Sequence, residues 1–232
     1  MTRAMGTRRR VALAAKRGID VLGAGAGLVL LAPLLALTAV AILAAQGRPI
    51  FFRHVRPGLR GEPFTMVKFR TMRALRPGER PYESDEQRVT PLGRFLRATS
   101  VDELPELWNV LRGQMSLVGP RPLLTEYLDD YTPEERRRHE LPPGITGWAQ
   151  VNGRHAIPFR ERLRLDVWYV DHWSLGLDLR ILALTLDRVL RRKDVTTTQS
   201  IEGLGFPLRT GDAGPVAPRG ETPARAASSG SR

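Results

Sequence analysis

The polar and apolar positions of the N-terminal region separate into two blocks. Arg3, Arg8, Arg9, Arg10, Lys16 and Arg17 crowd residues 1–17, and from Val21 to Ala45 no residue carries a charge. That apolar run is long enough to cross a bilayer as a helix, and too long for the apolar core of a cleaved secretory signal. Two features favour a helix that enters, breaks and returns over one that spans. Pro33 lies in mid-segment, where it lacks an N–H donor and its ring crowds the preceding turn. The far flank is basic again, with Arg48, Arg53, Arg56 and Arg60, whereas a single span carries its basic excess on the cytoplasmic side only. A helix-break-helix with both ends on the cytoplasmic face satisfies both observations, and a plain span is the competing reading.

Beyond this segment the pattern changes period. Ile50 to Val55 and Pro63 to Phe69 are apolar, partly β-branched runs punctuated by Pro57, Gly58 and Gly61, the signature of a short β-hairpin. Residues 73–91 are rich in Arg, Pro, Glu and Asp and predict an exposed, mobile loop. Pro105 is tolerated only in the first turn of a helix, which places an N-cap at Asp102 or later. Thr132, Pro133 and Glu135 announce another helix start, and Pro142-Pro143-Gly144 ends it. Helical spacing recurs from Phe159 to Trp173. A further helix from Asp178 to Arg192 pairs a broad apolar face with Arg188, Arg191, Arg192 and Lys193 near its end; it either lies in a membrane interface or packs on the core. After Leu208 the chain turns to Gly, Pro, Ala, Ser and Arg, a composition that predicts disorder. The fold class is therefore mainly α with a short β-hairpin. An N-terminal re-entrant membrane helix occupies residues 1–47, a membrane-associated cytosolic domain with interfacial amphipathic helices follows over 48–207, and 208–232 form a tail. A length of 232 residues suits one domain.

The net charge of +12 calls for anionic company. Because the arginines crowd an apolar membrane-length segment and no nucleic-acid motif is present, lipid headgroups and phosphorylated substrates explain the charge better than nucleic acid. The chain has no cysteine, which removes disulfides, thiolate metal sites and a cysteine nucleophile. Its four histidines are scattered without ligand spacing. Gly23, Gly25 and Gly27 imitate a dinucleotide loop, but Leu28 stands where that fingerprint needs glycine, and small residues in an apolar helix more simply permit close packing. No nucleophile elbow, phosphate-binding lysine loop or zinc-binding helix motif occurs.

What remains is a polar cluster in the middle third: Lys68 to Met72, Arg97, Ser100 to Pro105, and Gly119-Pro120-Arg121-Pro122. Adjacent acids at the head of a helix are often there to cap it and to complement its dipole. Asp102 and Glu103 also have the chemistry to hold a divalent cation while one of them attacks phosphorus. Lys68, Arg70, Arg97 and Arg121 would neutralise a diphosphate, or serve as surface charges or structural ion pairs.

Read as one run, Thr99 to Gly113 followed by Met115 to Pro122 closely resembles the bacterial sugar transferase family, the monotopic phosphoglycosyl transferases that start glycan assembly on undecaprenyl phosphate. The resemblance extends to Lys16, Arg17 and Asp20, to Pro33, to Arg56, Gly58 and Gly61, to Lys68 through Met72, and to Pro143 through Arg154. It covers roughly residues 12–200.

The resemblance implies a two-step, Mg²⁺-dependent reaction. Asp102 resembles the nucleophile that attacks the sugar-linked phosphate of a UDP-sugar, releasing UMP and leaving a phosphosugar on the enzyme for polyprenyl phosphate to collect. Glu103 resembles its partner in holding Mg²⁺, and Lys68, Arg70, Arg97 and Arg121 match basic positions that contact phosphate. The family's re-entrant helix agrees with the charge pattern, and implies a protein of the bacterial cytoplasmic membrane with its site on the cytoplasmic face. Two positions depart from the pattern: Ala32 replaces a serine before the breaking proline, and Gln114 replaces an acid. With one apolar segment of membrane length, the chain resembles the short form of the family. The sugar and the glycan pathway are not legible, and homodimerisation is left open. Two rival readings stand beside this one: a catalytically silent membrane scaffold, and a hydrolase that passes the same intermediate to water.

Overall fold

The apolar N-terminal run folds as two helices meeting at a bend. In the computed structural model, which describes residues 6–79, 85–153 and 157–191, α1 (Thr7–Leu30) and α2 (Ala32–Gln46) are inclined by 61°. The break falls on Leu31, with φ −92° and ψ 3°, and Pro33 occupies the first turn of α2. Proline suits that place, because the first turn leaves its N–H groups unbonded in any case and the fixed φ is already helical. Leu31 N–H still reaches the Gly27 carbonyl at 2.9 Å, and Leu35 N–H the Leu31 carbonyl at 2.9 Å. The expected break is present, two residues ahead of the proline that causes it. Among the described residues no single helix is long and apolar enough to cross a membrane, although the bent pair together passes that test.

One side of the pair packs inward. A Cβ on Gly23 would stand 2.7 Å from Leu117 Cδ1, and one on Gly27 3.2 Å from Leu107 Cδ1, so the glycine stripe admits α5 (Glu106–Leu111) and β3 (Ser116–Val118). Leu22, Val29, Leu30, Leu37 and Val40 remain exposed on the other side. Polar ties fix α1 to the domain. Lys16 Nζ donates to the Val118 carbonyl at 2.9 Å and to Asp178 Oδ2 at 2.6 Å. Arg17 donates to the Val110 and Leu111 carbonyls at 2.5 and 2.7 Å, at the C-terminal end of α5. Asp20 accepts from Ser116 Oγ and Leu117 N–H.

The hairpin is present, β1 (Phe51–Pro57) pairing antiparallel with β2 (Pro63–Phe69) from Phe51↔Phe69 to Pro57↔Pro63. The outer edge of β2 is covered by one side chain. Asn109 Oδ1 accepts from Val67 N–H at 3.1 Å, and Nδ2 donates to the Thr65 carbonyl at 2.7 Å and to Gln114 Oε1 at 2.9 Å. This gives Gln114 a purpose: it supplies an acceptor that orients the Asn109 amide, a task a carboxylate at that position would also perform.

The described residues of 73–91, namely 73–79 and 85–91, hold more structure than their composition predicts. Arg73 pairs with Glu79, Met72 bridges to Val89, and a short helix α3 (Asp85–Arg88) precedes α4 (Pro91–Thr99), which Thr90 caps by accepting from Gly93 N–H at 2.9 Å. β3 forms a second, parallel two-stranded sheet with β4 (Gly144–Thr146), which three-residue strands are too short to announce by alternation. The capping box at Thr132 and Glu135 opens α6 (Pro133–Arg136) as expected. After α7 (Trp148–Val151), helices α8 (Phe159–His172) and α9 (Leu175–Arg191) close the described domain. Helix α9 starts three residues earlier than its charge pattern suggests, because Ser174 caps it through Leu177 N–H and Asp178 is turned inward. Its inner face buries Ile181 with Val118, Leu141, Val151, Tyr169 and Val170, while Leu179 and Leu186 stay exposed. The tail, Arg192, Lys193 and Arg154 lie outside the described residues.

Candidate active site

The acid pair sits in a tight turn between two helices. Helix α4 ends at Ser100, whose left-handed backbone (φ 57°, ψ 17°) redirects the chain into a 3-10 turn over Val101–Glu103 before Pro105 opens α5. Neither acid caps α5, whose N-cap is Pro105 with no side-chain acceptor. The capping explanation for the pair therefore fails.

The two carboxylates have different surroundings. Glu103 Oε1 accepts from Lys68 Nζ at 2.7 Å and from Arg121 Nη2 at 2.6 Å. Burial pushes its carboxyl up, but Arg121 and Lys68 outweigh burial and hold it well below the usual carboxylate range. Asp102 is 8% exposed and, among the described residues, its carboxylate has no hydrogen bond or ion pair. Burial first and the neighbouring Glu103 second push it up to about 6, against the pull of Lys68, Arg97 and Arg121.

Lys68 comes from β2 and Arg121 from the loop after β3, so the cluster exists only when hairpin, turn and loop converge. Burial lowers the Lys68 ammonium, but Glu103 and Glu106 prevail and hold it above its ordinary value. Arg97 lies on α4, where Nε donates to Thr71 Oγ1 at 3.0 Å, and its charge is felt at Asp102. Arg70 is placed differently. Its guanidinium donates to the carbonyls of Gln46, Gly47 and Arg48, closing the C-terminal end of α2, and none of these contacts is with the acid pair.

Glu106 was not singled out from the sequence. It is 2% exposed, its Oε1 stands 3.0 Å from Lys68 Nζ without hydrogen-bonding alignment, and burial followed by the repulsion of Glu103 pushes it up to about 7. The signal was its helical spacing, three residues after Glu103 and four after Asp102, which gathers the acids on one side of a turn.

Chemically, the cluster offers one buried carboxylate, unpaired among the described residues and within the field of three cations, with its acidic neighbours either paired or pushed towards neutrality. Such an arrangement has the charge to attract an anion bearing several negative charges and an oxygen with the chemistry of a nucleophile.

A family model described as bacterial sugar transferase matches residues 11–192. The chain is 54% identical over 160 residues to the uncharacterized sugar transferase EpsL of Bacillus subtilis, covering 69% of this chain and 79% of that one. It is 44% identical over 185 residues to the UDP-glucose:undecaprenyl-phosphate glucose-1-phosphate transferase of Caulobacter vibrioides, covering 75% and 69%. The protein of that name from Escherichia coli is 37% identical over 181 residues, and there the match covers 74% of this chain but 39% of the relative.

Proposed function

The chain belongs to the bacterial sugar transferase family, and on that premise we propose that it moves a sugar 1-phosphate from a UDP-sugar to undecaprenyl phosphate at the cytoplasmic face of a membrane. Relatives named for that transfer with UDP-glucose support the substrate classes. The observation that carries the chemistry is Asp102, buried, without a hydrogen-bond or ion-pair partner among the described residues, and not capping α5.

An oxygen of Asp102 attacks the phosphorus that bears the sugar; the bond from that phosphorus to the bridging oxygen breaks, and UMP leaves with the electron pair. An oxygen of undecaprenyl phosphate then attacks the same phosphorus, the acyl phosphate bond breaks, and the Asp102 carboxylate is restored. Arg121, Lys68 and Arg97 offset the charge that gathers on the phosphoryl oxygens, while Glu103 holds Arg121 and Lys68 in place. Mg²⁺ is proposed to sit beside Asp102 and Glu103: the Asp102 carboxylate has no hydrogen bond or ion pair among the described residues, and because no group of three potential ligands gathers among those residues, substrate phosphate would have to complete its shell. One or two carboxylates completed by substrate phosphate is how this ion is commonly held. When bound, it would neutralise phosphate charge. Membrane association fits the exposed apolar side of the bent pair and the flanking arginines.

The test is UMP release from UDP-glucose, UDP-galactose and UDP-N-acetylglucosamine, with and without undecaprenyl phosphate and Mg²⁺. Metal-dependent UMP accompanied by a lipid-linked sugar is expected. No UMP from any donor points to a silent scaffold, and UMP without a lipid product points to a hydrolase.

A further inference from the structure

Arg121 stands between Pro120 and Pro122, so its backbone is confined to extended conformations. A stiff loop presents its guanidinium correctly only if the loop itself is held. Three buried side chains hold it. At its start, the Val118 carbonyl accepts from Lys16 Nζ at 2.9 Å and from Tyr169 OH at 3.3 Å. At Arg121 itself, the carbonyl accepts from Arg138 Nη2 at 2.6 Å.

Arg138 is 1% exposed. It lies in the turn after α6, under the Tyr131 ring, and its Nε and Nη2 both bind Asp166 Oδ2, at 3.1 and 2.7 Å. Asp166 and Tyr169 lie one turn apart on α8, so one face of that helix reaches both ends of the loop. A buried ion pair is a poor source of stability, since apolar side chains of the same volume commonly serve as well. The feature an apolar pair would lack is a donor for the Arg121 carbonyl.

We propose that Arg138, oriented by Asp166, is a positioning residue for the transferase site: it fixes the backbone of Arg121 so that the guanidinium meets Glu103 and the substrate phosphate. The inference rests on the reading of Arg121 given above. Arg138→Lys keeps the charge opposite Asp166 but loses the fork that reaches the carbonyl.

The experiment is a double-mutant cycle with UDP-glucose and undecaprenyl phosphate, on variants whose thermal unfolding matches that of the parent protein. In the parent, Arg138→Lys should lower kcat by roughly tenfold to a hundredfold with little change in KM. In the Arg121→Ala background the same change should alter kcat by less than about twofold, because nothing remains to position. Equal losses in both backgrounds would overturn the inference, since a general weakening of the fold is indifferent to residue 121. Should Arg138→Lys fail to fold, Asp166→Asn takes its place in the cycle, and failure of both to fold would mark the pair as a stability element and overturn the inference as well. Parent-like turnover by Arg121→Ala would sink the functional reading together with this inference, whereas additivity sinks this inference alone.

Discussion

Arg121 Nη2 stands 2.6 Å from Glu103 Oε1, and both residues are partly shielded from water. The contact engages Nη2 with a carboxylate, and on the proposed reading the other N–H groups would meet a substrate anion. Arg121→Ala should lower turnover roughly a hundredfold or more, the scale found when one donor to a developing negative charge is deleted. Arg121→Lys should recover part of the loss, because the charge returns without the fork. Full recovery in steady-state kinetics would show that a point charge suffices.

Asp102→Asn should cost at least about a thousandfold in turnover while leaving unfolding temperature unchanged, since a carboxamide keeps the shape and loses the proposed nucleophile. The wild-type acid limb follows from the same residue. A carboxyl pushed up to about 6 is protonated below that pH and cannot attack. The logarithm of kcat/KM should therefore fall with a slope of about one per pH unit below about pH 6. An acid limb near pH 4 would separate Asp102 from the rate.

Glu106 makes a stability prediction. Its folded value of about 7 lies above the ordinary 4.5. Stability from this group is then fully present below pH 4.5 and is lost as pH rises through 7. Glu106→Gln cannot ionise, so its unfolding temperature should improve relative to wild type between pH 5 and pH 8. A constant difference across that range would show that Glu106 ionises as it would in water.

The bent helix pair is open to cysteine labelling in a chain that has none of its own. Gly47 is unsuitable as a site, because its φ of 69° lies where a side chain is strained. Gly6, with nothing within 4 Å of an added Cβ, and the exposed Arg53 are better. With a membrane-impermeant thiol reagent on intact spheroplasts, both Gly6→Cys and Arg53→Cys should stay protected until lysis. Labelling of the first alone would establish a single span. Pro33→Leu should favour a continuous helix and raise labelling at position 6.

The parts legible in the sequence are those encoded by neighbours along the chain. The hairpin shows in Ile50 to Phe69, the capping box in Thr132 and Glu135, and the break in Pro33, because each is a local steric or hydrogen-bonding demand. Asp102, Glu103, Lys68 and Arg121 were found through their motifs and lie together. What stayed hidden depends on distant partners. The fate of Arg70 is set by where α2 ends, which places three carbonyls before its guanidinium. The β3–β4 pairing requires the backbone contact at Gly144, where a Cβ would lie 2.0 Å from Gly119 N. Arg138 reads as one more surface arginine in a basic stretch until Asp166 is brought to it from α8.

The glycine-lined contact of α1 bears on how deep the molecule would sit in a bilayer. Leu28 is packed on the cluster around Ala24, Phe64 and Leu107, and Leu35 on the one around Ile42, Phe69 and Leu96. Residues 29–34 lie between these two anchor points, and even a straight helix of that size rises by only about 9 Å. One leaflet's hydrocarbon is about 15 Å deep. A keel so short cannot reach the midplane while the hull stays dry, so any bilayer that takes in the bend must also wet the flanks, Leu22 and Val40 included, with lipid. On the proposed membrane-bound reading, the depth of immersion would be set by how far the two helices are packed against the domain.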